Sequence, residues 1–323
     1  MEYIVTPPDH GLFYSRQDEK DPRLGELIDE CKYENFNGAD IVILGIPDDR
    51  GIAVNKGRTG AAQGPDGIRR RLYRLTPGFS MDLSVLKVCD IGNLCVQDLS
   101  IEEVHLAAQA LVRDVVKTGA IPIVLGGSHD LTYPGLAGFA EGNDLGPDSM
   151  GLINVDTHLD VRSDEYGINS GTPFYRALTQ LTKGALKGDS FVEFGIQEPY
   201  NSPYYYNWVR EQNSTVMTLK EISGRVMETF LQALTIAGKR GHFVALSLDI
   251  DSVRSTDAPG ASASNPSGFK APEIEKITYL AGRSSQVRYF DIMEVSPPLD
   301  QDFRTTSLAA LSIFWFLKGV TER

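Results

Sequence analysis

Short apolar runs separated by mixed, charge-bearing stretches set the rhythm of this chain. Asp40-Ile-Val-Ile-Leu-Gly-Ile-Pro47 is continuous in apolar residues and closed by Gly and Pro, the pattern of a strand covered on both faces. Val85–Gly92, Ile121–Leu125, the run Gly151-Leu-Ile153, Ser190–Ile196, Gly241–Asp251 and Val287–Val295 read the same way. Between two of these strands, Val104, Ala107, Leu111 and Val115 fall on one face of a helix that begins near Ile101 and stops at Gly119. A helix placed between two such strands is a crossover connection.

Helical patterns are also predicted at the end of Gly64–Leu72, after Asn169–Phe174, over Pro272–Gly282 and over Thr306–Val320. Residues 1–38 are polar and broken by Pro7, Pro8, Gly11 and Pro22, with one helix expected from Arg23 to Tyr33, where Leu24, Leu27 and Ile28 keep helical spacing. This segment is expected to be an arm packed on the body. No Ser-rich or Pro-rich linker and no internal repeat divides the rest, so residues 39–323 are expected to form one domain. The run Tyr204-Tyr205-Tyr206 with Trp208 reads as helix packing.

Composition narrows the classes of function. A net charge of -12 over 323 residues argues against a nucleic-acid or anionic-membrane surface, which rewards clustered Lys and Arg. A small-molecule substrate is the remaining default. Three cysteines, Cys31, Cys89 and Cys95, show no C-x-x-C spacing, so neither a disulfide framework nor a zinc ribbon is expected, and a reducing, cytosolic compartment fits. Glu2, Asp9 and Asp18 interrupt the N-terminus without an apolar run, and no segment has the length of a membrane span.

The chemistry lies where the apolar runs end. Asn154-Val-Asp156-Thr-His158-Leu-Asp160 leaves a strand with three metal-capable side chains at alternate positions, which share a face if the backbone stays extended. Gly126-Gly-Ser-His129-Asp130 follows another strand, with glycines for a sharp turn at the end where open parallel sheets place their ligands. A third run ends in Asp249-Ile-Asp251, two carboxylates that repel unless a cation or a proton joins them. A fourth offers Glu294.

Two imidazoles and four carboxylates exceed what one ion in a closed site requires, and they suit two. Two divalent cations about 3.5–4 Å apart would activate a shared water for attack on an electrophilic carbon. Carboxylates outnumber imidazoles and no thiolate is offered, which favours manganese, although ligand type alone also admits iron, cobalt and zinc.

Gly-Gly-x-His-Asp, Asp-x-His-x-Asp, Ser-x-Asp-x-Asp and a late Glu-Val-x-Pro, in this order from about Asp40 to the C-terminus, resemble the ureohydrolase superfamily of arginase, agmatinase and formimidoylglutamase. The resemblance implies an α/β fold, a three-layer αβα sandwich around a central, mostly parallel sheet, and two Mn2+ per subunit. It implies that His129, Asp156, Asp160 and Asp249 hold one ion, and that Asp156, His158, Asp249 and Asp251 hold the other. It further implies that Asp160 orients a metal-bridging hydroxide and that Glu294 pairs with the amidine or guanidine of the substrate. Assembly into trimers or hexamers is expected on the same ground.

Within the superfamily, arginases and agmatinases carry a histidine where this chain has Ser170, in Asn-Ser-Gly-Thr-Pro-Phe. The chain is more similar to formimidoylglutamases there, in Asp-Val-Arg after the metal motif and in Asp-Ala-Pro-Gly after the aspartate pair. The expected reaction is hydrolysis of N-formimidoyl-L-glutamate to L-glutamate and formamide, a step of histidine degradation. That substrate has two carboxylates, and Arg162, Lys56 and Arg58 occupy loops expected to face the crevice, with Arg162 as the carboxylate anchor. Asn169 and Asn201 are further candidates for holding the amino-acid end. The alternatives are an agmatinase or guanidino-acid hydrolase releasing urea, and a catalytically silent relative acting as a binding protein.

Overall fold

Ten strands share one sheet in the computed structural model, which describes residues 3–239 and 242–323. Met1, Glu2 and Gly241, which the reading of the sequence included, lie outside the described residues. The strands are β1 (Val5–Thr6), β2 (Asp29–Glu30), β3 (Ile41–Ile46), β4 (Val88–Leu94), β5 (Ile121–Gly126), β6 (Met150–Val155), β7 (Leu186–Ile196), β8 (Thr215–Thr218), β9 (Phe243–Asp249) and β10 (Val287–Met293). Their order is β1-β4-β3-β5-β10-β9-β6-β7-β8, and β2 also pairs with β4. Only β1–β4 is antiparallel among these pairs.

The continuous apolar runs of the inner strands follow from burial on both faces. In β3, Ile41 and Ile43 enter one core with the helices Gly64–Leu72, Ala271–Arg283 and Arg304–Thr321. Val42, Leu44 and Ile46 enter a second core with the helices Ile101–Lys117, Thr132–Gly142 and Pro173–Gln180. Alternation along the strand thus makes three layers, helices on each side of a mostly parallel sheet.

Strand order positions the functional side chains. The chain builds β3, β4 and β5, passes to β6, β7 and β8, and returns to insert β9 and β10 between β5 and β6. Four adjacent parallel strands, β5, β10, β9 and β6, therefore end side by side. Those are the four that the sequence shows ending in imidazoles or carboxylates.

Some elements differ from expectation. The helix expected over Arg23–Tyr33 is one turn, Leu24–Leu27, because Asp29–Glu30 pair with Cys89–Asp90 of β4 instead. Leu24 and Ile28 are buried while Leu27 is exposed. The helix Arg50–Val54, and β8 with the helix Val226–Ala237, lie in stretches where no element was expected.

The cysteine expectation is overturned. Cys31 and Cys89 form a disulfide across 58 residues, and Cys95 is free. The β2–β4 register brings their Cα atoms to 5.6 Å, a proximity that spacing along the chain cannot reveal. Among the described residues, no helix is long and apolar enough to cross a membrane.

Candidate metal centre

The turn after β5 is tight: a Cβ on Gly127 would stand 2.0 Å from the Asp48 carbonyl oxygen, so only glycine fits. The turn delivers His129, fully buried, with Nδ1 toward three carboxylates: Asp160 at 2.9 Å, Asp249 at 3.2 Å and Asp156 at 3.3 Å. Its Nε2 lies 3.1 Å from Ser247 Oγ, so a ring proton held there leaves the Nδ1 lone pair free for a cation. On the other side of Asp156, His158 Nδ1 stands 3.2 Å from Asp251 and 3.6 Å from Asp156.

The convergence of the two Asp-containing motifs is not that of an extended strand. Asp156 Oδ1 accepts the His158 backbone N–H at 2.7 Å, and Asp249 Oδ1 accepts that of Asp251 at 2.7 Å. Each first aspartate folds the chain back on itself, and the third member, Asp160, sits at φ 47°. Glu294 likewise has φ 65° just beyond β10, and its Oε1 accepts the His129 backbone N–H at 3.0 Å. Asp160 and Glu294 are two of eleven non-glycine residues in left-handed backbone among the described residues, and at the site such a conformation is one that the surroundings impose.

Two groupings result: His129, Asp156, Asp160 and Asp249 lie within ligand distance of one another, and so do Asp156, His158 and Asp251. Asp156 is common to both. Asp249 joins only the first grouping, whereas the resemblance assigned it to both ions. The electrostatics match a site built for cations. Burial and the charges of Asp251 and Asp156 push Asp249 up to about 7, and burial with Asp156 pushes Asp160 up to about 6. Burial opposes charge on both imidazoles, yet the carboxylates around them raise His129 and His158 well above the usual histidine range. Asp251 Oδ1 is buried without a hydrogen-bond partner. Oxygen donors in excess of imidazoles, one oxygen unsatisfied and no thiol in either grouping fit two hard divalent ions.

A cavity of about 320 Å³ opens above the cluster, with His158, Asp160, Asp249, Asp251 and Glu294 at its base. Arg162 is the basic side chain on its wall, its guanidinium carbon 5.9 Å from the centre of the Tyr205 ring. Ser170 also lines the cavity, and its Oγ accepts from Asn55 Nδ2 at 2.9 Å. Asn201 reaches the wall with its amide already committed: it donates to the Thr157 and Gln197 carbonyls and accepts from the Leu159 N–H. Asn201 therefore braces the Asp156–Asp160 segment.

Asn169 and the two other basic candidates do not line the cavity. Asn169 is turned into its own loop, accepting from the Gly171 N–H and donating to the Gly167 carbonyl. Arg58 is pinned to the carbonyls of Ala261 and Ser262, and Lys56 is exposed. The wall residues Asn55 and Tyr205 were not foreseen. Tyr205 belongs to a run that looks like helix packing, and Trp208 does pack there, against Tyr175. One turn earlier on the helix Pro203–Glu211, Tyr205 packs against the same core and also meets Arg162 at the cavity wall.

Comparison with known proteins agrees with this geometry. Residues 39–318 match the family model described as Arginase family. A formimidoylglutamase of Clostridium tetani is 30% identical over 282 residues, 86% of this chain and 82% of its own length. One from Hahella chejuensis is 32% identical over 84% of this chain and 83% of its own. The crystal structure of Trypanosoma cruzi formiminoglutamase with Mn2+ superposes with a TM-score of 0.83 at 32% identity, covering 94% of this chain and 99% of that one. A Bacillus subtilis formimidoylglutamase structure, at 22% identity, shares the fold with a TM-score of 0.86.

Proposed function

We propose that this chain, which belongs to the arginase family, is a hydrolase of linear amidine C–N bonds that cleaves N-formimidoyl-L-glutamate to L-glutamate and formamide. The observation that carries the substrate choice is the single arginine on the wall of an otherwise acidic cavity. A guanidinium there suits a substrate whose far end bears carboxylates. Agmatine, which has none, would leave Arg162 without a partner.

His129, Asp156, Asp160 and Asp249 would hold one Mn2+, and Asp156, His158 and Asp251 the other. When bound, the ions lower the pKa of a water so that it can serve as nucleophile at neutral pH. The remaining tasks fall to the chain. Glu294, at the base of the cavity, presents a carboxylate to the planar cationic amidine and fixes its face relative to the metal cluster. Asp160, beside His129 at 2.9 Å, is placed to orient the attacking group by a hydrogen bond and to hold the proton that the departing amine needs. Arg162 binds a carboxylate of the glutamyl portion, while Ser170 and Asn55 supply neutral hydrogen-bonding groups beside it.

Burial of the cluster excludes most bulk water and strengthens these contacts. Assembly into trimers or hexamers belongs to the same proposal, and light scattering of the purified protein checks it.

The reaction is tested with Mn2+-loaded protein over formimidoylglutamate, arginine, agmatine and guanidinobutyrate, with formamide and urea assayed separately. Formamide from the first substrate alone is expected. Urea from agmatine, with no turnover of formimidoylglutamate, would reject the reading.

A further inference from the structure

Outside the ligand cluster, β7 carries a feature that its fold does not need. Glu193 lies between Val192 and Phe194 in the middle of the strand, fully buried. The β6–β7 register sets it directly opposite Asn154, also fully buried. An apolar residue would suit either position better, since a buried polar group costs stability unless it is paired.

The contacts of the Asn154 amide give the pair a purpose. Its nitrogen donates to Glu193 Oε2 at 2.8 Å and approaches Asp156 Oδ2 at 3.3 Å, one N–H for each carboxyl group. Asp156 Oδ1 is already held by the His158 backbone N–H at 2.7 Å. With both oxygens engaged, the plane of the carboxylate common to both ligand groupings is set, and one of the two holds comes from outside the cluster. The hydrogen bond of Glu193 is to Asn154 and not to a ligand, and its Oε1 has no hydrogen-bond partner.

We propose that Glu193 is a positioning residue, which through the Asn154 amide fixes the orientation of Asp156 and so tunes how tightly both cations are held. The inference rests on the two-ion reading of the site. Partners that orient metal ligands commonly change affinity by about 10- to 100-fold when removed. Burial pushes the Glu193 carboxyl well above the usual carboxylate range, so glutamine reproduces its shape and the carbonyl that Asn154 needs.

The test is Mn2+ binding to the full chain, by equilibrium dialysis with metal analysis and by the EPR signal of spin-coupled Mn2+ pairs, for wild type, Glu193→Gln, Glu193→Ala and Asn154→Ala. Metal-free melting curves accompany each. Wild type and Glu193→Gln are expected to bind two ions alike, whereas Glu193→Ala and Asn154→Ala weaken binding about 10- to 100-fold and diminish the coupled signal. The double variant is expected to be no worse than either single one. Should Glu193→Ala fail to fold, Asn154→Ala tests the same link. Wild-type affinity in Asn154→Ala, with only a lower melting temperature, overturns the proposal while leaving the two-ion centre standing. Fewer than two Mn2+ bound by wild type overturns both.

Discussion

Gly171 has no side chain where Arg162 runs past it. A Cβ built there would stand 2.7 Å from Arg162 Cδ and 3.0 Å from its Nε, and the Arg162 N–H donates to the Gly171 carbonyl at 2.8 Å. The Ser-Gly-Thr-Pro loop thus holds the arginine both by its backbone and by the space it leaves.

Gly171→Ala is accordingly expected to displace the guanidinium and raise KM for formimidoylglutamate with a much smaller change in kcat. Losing a hydrogen bond to a charged group is worth roughly 1.5–3 kcal/mol, so Arg162→Ala should raise KM by about 10- to 100-fold, with Gly171→Ala below it. Steady-state kinetics of both variants checks this. Equal loss of kcat and kcat/KM would assign Arg162 to the transition state instead.

Removing metal should make stability depend on pH in a definite direction. Asp249 is pushed up to about 7, chiefly by burial and then by Asp251 and Asp156, and burial raises Asp160 and Asp251 to about 6, against an ordinary value of 3.8. From about pH 4 to 7 the metal-free folded state keeps protons that the unfolded chain has released, so stability falls as pH rises through that window. His129 and His158, raised above 6.5, contribute stability that is lost at still higher pH. Asp156 is lowered and acts oppositely, but only below its ordinary 3.8. Cations require deprotonated carboxylates, so their stabilising effect grows over the same range. Melting temperatures with EDTA and with Mn2+ should diverge from about pH 5 to about pH 7.5. A constant difference would contradict the assignment of these groups.

Why the site was more legible than its walls follows from the physics of each. His129, Asp156, Asp249 and Glu294 sit at or just past the ends of apolar runs, and adjacency of parallel strand ends needs only the sheet order to bring them together. The turns that aim them were less visible: extended alternation does not describe Asp156–Asp160, where a side chain caps the backbone two residues on. Asn201 looked like a substrate group because amides serve in both roles, and only its three backbone partners show which. The Cys31–Cys89 bond and the single-turn helix at Leu24 share one cause, the pairing of Asp29–Glu30 with β4, a long-range contact with no local signature.

The helix Gly64–Leu72 is tied to β4 by a fully buried ion pair. Arg69 donates to Asp90 through Nε at 2.7 Å and through a terminal nitrogen at 3.0 Å, and Tyr73 bonds the same carboxylate. Arg69→Met strands Asp90 in the core. Breaking such a pair from one side costs about 3–5 kcal/mol. Urea unfolding should show a loss of that order, with two Mn2+ still bound by the folded fraction. A loss below about 1 kcal/mol would mean that the pair is dispensable.

On the proposed function, Glu294→Gln should separate binding of the substrate's cation from holding of the metals. It stands in left-handed backbone at φ 65°, its amide donates to the Gly127 carbonyl at 2.8 Å, and its Oε1 accepts the His129 N–H at 3.0 Å. These three features aim one carboxylate into the cavity while tying it to the loop of a metal ligand. Glu294→Gln keeps the acceptor oxygen for His129 but removes the charge opposite the amidine. Mn2+ content and melting temperature should therefore stay near wild type. Turnover should fall by about 10²–10³, as when one preorganised charge-stabilising contact is removed, and the loss should appear in kcat as well as kcat/KM, because the carboxylate keeps the bound amidine protonated and therefore electrophilic for attack. If Glu294→Gln lost metal in proportion to activity, the residue would be a support for His129 and the amidine contact would have to be sought elsewhere in the cavity.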